Sequence, residues 1–139
     1  MKKGTDLYFM FGDVDYNNYG RCDFCGKRSR HHSHPITLMG YQHTKKEHLH
    51  GGTICSDCLT PDVKRLARIA WDRAEHFFAS RPLKGFDADT WRQWGFDMRA
   101  ISEALEELED FSTINFGRAA LMVAQECLEL DPPRKGKAA

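Results

Sequence analysis

Four cysteines fall into two Cys-x-x-Cys pairs, Cys22/Cys25 and Cys55/Cys58, and a fifth, Cys127, stands alone. Two intervening residues let both thiolates of a pair reach one ion at about 2.3 Å, and two such pairs complete a tetrahedron. A redox dithiol or unrelated surface cysteines would also fit one pair, but two pairs point to Zn2+. Four thiolates leave no open position for water, so the spacing predicts one structural zinc ion per chain, held by Cys22, Cys25, Cys55 and Cys58, and assigns no catalytic residue. The excess negative charge of such a site needs compensation. Lys27 and Arg28 directly after the first pair, and the N–H groups of a helix that begins near Pro61, are the expected sources. Cys127 falls on an apolar helix face and reads as a small core residue.

Six of the seven histidines, His31, His32, His34, His43, His48 and His50, lie between the two cysteine pairs. With Lys27, Arg28, Arg30, Lys45 and Lys46 they make a polar, basic insert. His31, His32, His34, His48 and His50 are candidates for a second metal site or for recognition. Lys27, Arg28, Arg30, Lys45 and Lys46 are candidate contacts to phosphates or to an acidic protein. A cluster of exposed histidines would also change charge near pH 6 to 7.

The stretches "CDFCGK" (Cys22 to Lys27) and "TICSDCL" (Thr53 to Leu59), the second leading into a helix, resemble the N-terminal zinc-binding domain of the ClpX unfoldase and its treble-clef relatives. The resemblance covers about 40 to 50 residues. It implies a β-hairpin knuckle, a second knuckle at a helix start, zinc on the four cysteines, and a role in dimerisation and in gripping partner proteins; unfoldase activity does not carry over. His31-His32-Ser33-His34-Pro35 is similar to a short piece of the HNH nucleases, in which one histidine activates water and others hold a metal. That likeness lacks its central Asn, because no Asn or Asp occurs between Pro35 and Cys55, and Leu59 stands where a histidine is expected after the last cysteine.

The elements that must position these residues are legible in part. Leu7 to Phe11 reads as a short strand, and "DVDYNNYG" from Asp13 to Gly20 as a loop whose calcium-like start lacks the required Gly and Glu. Between Cys22 and Cys58 no sustained period appears. Thr60, Pro61 and Asp62 then form a helix start, and Val63, Leu66, Ala67, Ala70, Ala74, Phe77 and Phe78 recur at helical spacing until Pro82. Lys64, Arg65, Arg68 and Arg73 occupy the opposite face. Trp91, Trp94, Met98, Ile101, Leu105 and Leu108 make a heptad-like seam, a candidate for the core or for self-association. A third helix is expected from Ser112 or Thr113 to Leu130, apolar over a wide arc and therefore central. The fold class that follows is α+β, mostly α. A treble-clef or zinc-ribbon-like module (1–60) precedes a bundle of about three helices (61–131) and a basic tail (132–139).

The 139 residues carry a net charge of zero, but unevenly: residues 86–131 hold three Lys/Arg against eleven Asp/Glu, whereas 61–85 hold six against three. Opposed blocks suggest distinct partners for the two halves. No apolar run approaches the ~20 residues of a membrane span, and the N-terminal one is too short for a signal peptide, so a cytoplasmic protein without a membrane partner is expected. The leading expectation is a non-enzymatic adaptor or regulator that binds a protein, with homodimerisation open. The alternative is a nucleic-acid-binding regulator using the basic insert. An HNH-like nuclease, or an acidic nucleic-acid mimic built on Glu103 to Asp110, ranks below both.

Overall fold

Leu7 and Phe9 alternate with more exposed neighbours along Thr5–Phe11, which extends as strand β1 with one side turned to the interior. The computed structural model describes residues 4–11, 22–26, 36–59 and 62–130, the side chains of 127–130 excepted. β1 pairs antiparallel with β2 (Ile36–Gln42), and β2 with β3 (Glu47–Thr53), in the order β1-β2-β3. The inner side carries Leu7, Phe9, Leu38 and Leu49.

The β2–β3 hairpin falls where the sequence showed no period. Its inner positions are filled partly by Gly40 and Gly51, so the alternation of apolar side chains is broken although the pleat is not. A Cβ on Gly40 would touch Leu49 and Leu7 at 3.3 Å, and one on Gly51 would collide with the Leu38 carbonyl of β2 and lie 3.0 Å from Ile101. Gly40 thus leaves room for the Leu7 and Leu49 side chains, and Gly51 for the Leu38 backbone, where the β2–β3 register shifts, and for the helix that carries Ile101. The apolar and glycine residues between the cysteine pairs join the core, while Lys45, Lys46, His48 and His50 of the expected polar insert stay exposed.

A 3-10 turn over Ser56–Leu59 leads to helix α1 (Val63–Ala79). The cap is Asp62, whose carboxylate accepts from the Arg65 N–H at 2.7 Å, so the helix starts later than the Thr60 and Pro61 signal suggested. α2 (Ala88–Glu106) is capped by Asp87 through the Thr90 N–H. The two helices pack antiparallel along small residues: the Ser102 hydroxyl donates to the Ala67 carbonyl at 2.6 Å, and a Cβ on Gly95 would lie 2.8 Å from the Phe78 ring. Trp91, Met98, Ile101 and Leu105 are buried, so the heptad-like seam is spent inside the chain, with Trp94 and Leu108 at its margins.

Glu107, Glu109 and Asp110 lie beyond the end of α2. Asp110 has a local task, accepting from the Ser112 N–H at 2.8 Å to cap a 3-10 turn over Phe111–Thr113. The Lys64 ammonium donates to the carbonyl of Glu106, which offsets the negative end of α2.

α3 (Gly117–Leu130) starts later than expected and is not central. It packs against the Ser56–Leu59 turn, the Phe111–Thr113 turn and β1, burying Ala120 and Ala124, while Phe116 is exposed. The close partners of the fold are instead α1 and α2. Asn115, just before α3, bridges to β1: the Phe9 N–H donates to the Asn115 carbonyl at 3.1 Å, and the Asn115 N–H to Leu7 at 3.3 Å. One apolar cluster combines the inner face of the sheet, the cysteine pairs and all three helices, running across residue 60.

Among the described residues no helix is long and apolar enough to cross a membrane. The expected Asp13–Gly20 loop and the 132–139 tail lie outside the described residues, as does the side chain of Cys127.

Candidate metal centre

The two cysteine pairs are brought together by the ends of the hairpin. Cys22 and Cys25 flank a tight turn ahead of β2: the Gly26 N–H donates to the Cys22 carbonyl at 3.0 Å, and Gly26 has φ +80°, a conformation that glycine adopts without strain. Cys55 lies two residues past the end of β3, and Cys58 sits in the 3-10 turn with its N–H on the Cys55 carbonyl at 3.1 Å.

Asp23, inside the first pair, joins the two halves. Its N–H donates to the Thr53 carbonyl at 2.8 Å, and its carboxylate accepts from the Thr53 N–H at 2.8 Å. The carboxylate lies so close over Gly52 (φ +126°) that any Cβ there would collide with it. Sequence reasoning passed over both residues; the Gly51-Gly52 pair just ahead of Cys55 is the signal that could have found them.

The four Sγ atoms all lie within 4.8 Å of one another, with Cys22–Cys58 at 3.8 Å and Cys25–Cys55 at 3.7 Å. These separations are far beyond a disulfide bond, and they place four donors around one point. The four cysteines are thus positioned to hold one metal ion. Cys22, Cys55 and Cys58 are buried, and Cys25 is partly exposed.

Backbone amides supply the stabilisation that a sulfur-rich site needs. The N–H groups of Phe24, Cys25 and Cys55 point at the Cys22 sulfur at 3.3, 3.4 and 3.4 Å. At the start of α1 the Asp62 carboxylate accepts the Arg65 N–H. Without a cation the thiols work against one another. Hydrogen bonding with Cys25 and Cys55, then burial, pushes the Cys22 thiol above its ordinary range, and Cys58 is pushed up by Cys22 in the same way. Cys55, hydrogen-bonded by Cys22, is lowered. Four thiolates cannot persist at such spacing unless a cation shares their charge.

The described histidines go elsewhere. His43 Nε2 lies 2.8 Å from the Asp6 carboxylate, and His48 Nδ1 lies 3.2 Å from the Tyr8 hydroxyl. Tyr41 stands between these two histidines, its ring edge-on to both at 5.0 and 5.1 Å. The His50 ring faces Trp94 at 6.0 Å, and its backbone N–H donates to Asp97 at 3.1 Å. Asp97 is buried and also accepts from Gln93 at 2.8 Å, a position sequence reasoning did not single out.

Among the described residues no histidine joins a metal-ready group. Lys45 and Lys46 are exposed in the β2–β3 turn. Lys27, Arg28, Arg30, His31, His32 and His34 lie outside the described residues, and with them the nuclease-like stretch.

No family model matches the chain, and neither a curated protein nor a solved structure does so.

Proposed function

We propose that the chain is a structural-zinc protein that serves as a protein-interaction adaptor or regulator, not as an enzyme. The observation that carries the zinc reading is the spacing of the sulfurs. A tetrahedron with 2.3 Å arms has edges of about 3.8 Å, and the Sγ atoms stand 3.7 and 3.8 Å apart. An all-thiolate set suits Zn2+ and disfavours the hard cations Mg2+ and Ca2+. Four protein ligands fill the coordination shell, which favours a structural role.

The chain order also supports a treble-clef arrangement like that of the ClpX zinc-binding domain: a cysteine turn closed by Gly26, then the β2–β3 hairpin, then a turn with the second pair ahead of α1. The adaptor role rests on that likeness and on the exposed aromatic side chains of the helices.

Protein purified under reducing conditions should contain close to one zinc per chain by elemental analysis, and Cys25→Ser should lose it. Zinc-free protein that keeps its fold would remove the reading. Affinity purification from the native host should recover a protein with the zinc-loaded chain and not with Cys25→Ser. Metal-dependent cleavage of DNA that is lost in His31→Ala would replace the adaptor by the nuclease.

A further inference from the structure

A continuous aromatic strip lies on the outer seam of α1 and α2. The Arg99 guanidinium sits 5.1 Å from the Trp71 ring centroid and 4.8 Å from that of Phe78, and the Phe78 and Phe96 rings meet at 5.0 Å. Trp71 is 40% exposed and Phe96 48%. Arg99 is steadied from the side by Glu75 at 3.5 Å. Trp, Phe and Arg are the side chains in which interface energy concentrates. A guanidinium already held between two rings loses little freedom when a partner arrives.

The charges flanking the strip are ordered. Because α1 and α2 run antiparallel, the first turns of α1 lie beside the last turns of α2. There α1 exposes Lys64 and Arg68, and α2 exposes Glu103 and Glu106. Lys64 reaches only the backbone carbonyl of Glu106, and no ion pair joins Arg68 to Glu103. A basic row and an acidic row thus stand side by side at one end of the strip.

Such a surface is complementary to itself. A second copy related by a two-fold axis along the seam lays its α1 over this α2. The two strips then meet, and Arg68 of each copy opposes Glu103 of the other. The face is about 25 Å long, from 17 residues at 1.5 Å each, and two helices wide. At a width of about 20 Å that is roughly 500 Å² per partner, the size of a weak interface in exchange with monomer.

The geometry points to a two-fold homodimer formed through the outer α1–α2 seam, with Trp71, Phe78, Phe96 and Arg99 at its centre. This goes beyond the adaptor reading and holds whether or not that reading stands. The self-association expected at Trp91 and Trp94 moves to the other side of the helix pair.

Sedimentation equilibrium of the full, metal-loaded chain should show a species of twice 16.0 kDa in exchange with monomer. Joint Trp71→Ala and Phe96→Ala should raise the dissociation constant at least about 100-fold, with an unchanged helical circular dichroism signal because both residues are exposed. Arg68→Glu or Glu103→Arg alone should weaken the dimer about tenfold, and the two together should restore it. A chain that stays monomeric at about 100 μM overturns the proposal. So does a dimer that survives the double aromatic substitution, or a monomer that uses Trp71 and Phe96 to hold a different protein.

Discussion

The cysteine corner and the α1–α2 pair stabilise the same chain by opposite means. The corner is built from short turns with Gly26 and Gly52 at positive φ, and its four sulfurs are positioned for coordination, with amides aimed at Cys22. The helix pair has no such clamp and depends on close contact through Ala67, Ala70, Ala74, Gly95 and Ser102. Coordination is strong but conditional on pH and metal supply. Packing is weaker per contact and indifferent to both. With a metal bound, one molecule would contain a region that chemistry can switch off and a region that it cannot.

Withdrawing the metal should open the contrast widest. Cys58→Ser, or a strong chelator, is expected to lower stability by at least about 4 kcal/mol, the linkage term for a metal present a thousandfold above its dissociation constant. Amide exchange should rise first around residues 22–26 and 53–59. Uniform exchange across the chain would show that the two regions are not separately held. Acid acts in the same direction, since protons compete for the thiolates, and metal content should fall together with pH.

Leu66→Ala attacks the other region: Leu66 is fully buried, and its truncation should cost about 2–5 kcal/mol in denaturant unfolding while metal content stays at one per chain. Loss of metal in that variant would mean that packing governs the corner as well.

Gly95→Ala sets two effects against each other. Alanine gains about 1 kcal/mol of helix propensity over glycine, but its Cβ would meet the Phe78 ring at 2.8 Å and the Phe77 Cβ at 3.1 Å. Overpacking of that kind costs about 1–3 kcal/mol, so a net loss of about 1 kcal/mol is expected in the denaturant midpoint. A stabilised variant would show that the helices can separate freely.

The smallest effect belongs to the caps. The Asp87 carboxyl is held below its ordinary value of 3.8 by the Thr90 N–H, and Asp110 by Ser112. A carboxyl lowered in the folded state stabilises above its unfolded value and loses that contribution as pH falls through the folded one. Melting temperature should therefore decline below about pH 4, and Asp87→Asn with Asp110→Asn should flatten that limb. An unaltered acid limb would place its origin outside these two caps.

The metal set was legible because ligand spacing is a local property: Cys22, Cys25, Cys55 and Cys58 converge as their pairing implied. α1 and α2 were legible because apolar side chains recur on one face. The hairpin was not, because Gly40 and Gly51 stand where inward side chains would have revealed the pleat. The role given to α3 failed for a related reason. Apolarity over a wide arc says that a helix touches several things, not which ones, and α3 spends its small residues on a turn and a strand edge. Asp23 and Asp97 are single acidic letters whose partners lie 30 and 47 positions away, a separation no local pattern encodes.

Both margins of the three-stranded sheet are met by residues from elsewhere in the chain. Asn115 bonds along the free side of β1, while Asp97 and Asp23 take up the outward N–H groups of His50 and Thr53 on β3. Open strand margins are where chains recruit one another into fibrils. A small sheet rich in glycine and easily shifted in register would be exposed to that fate, and these three residues cover part of each margin. Substituting Asp97 would thus be felt less in the affinity for any partner than in how long concentrated protein stays clear.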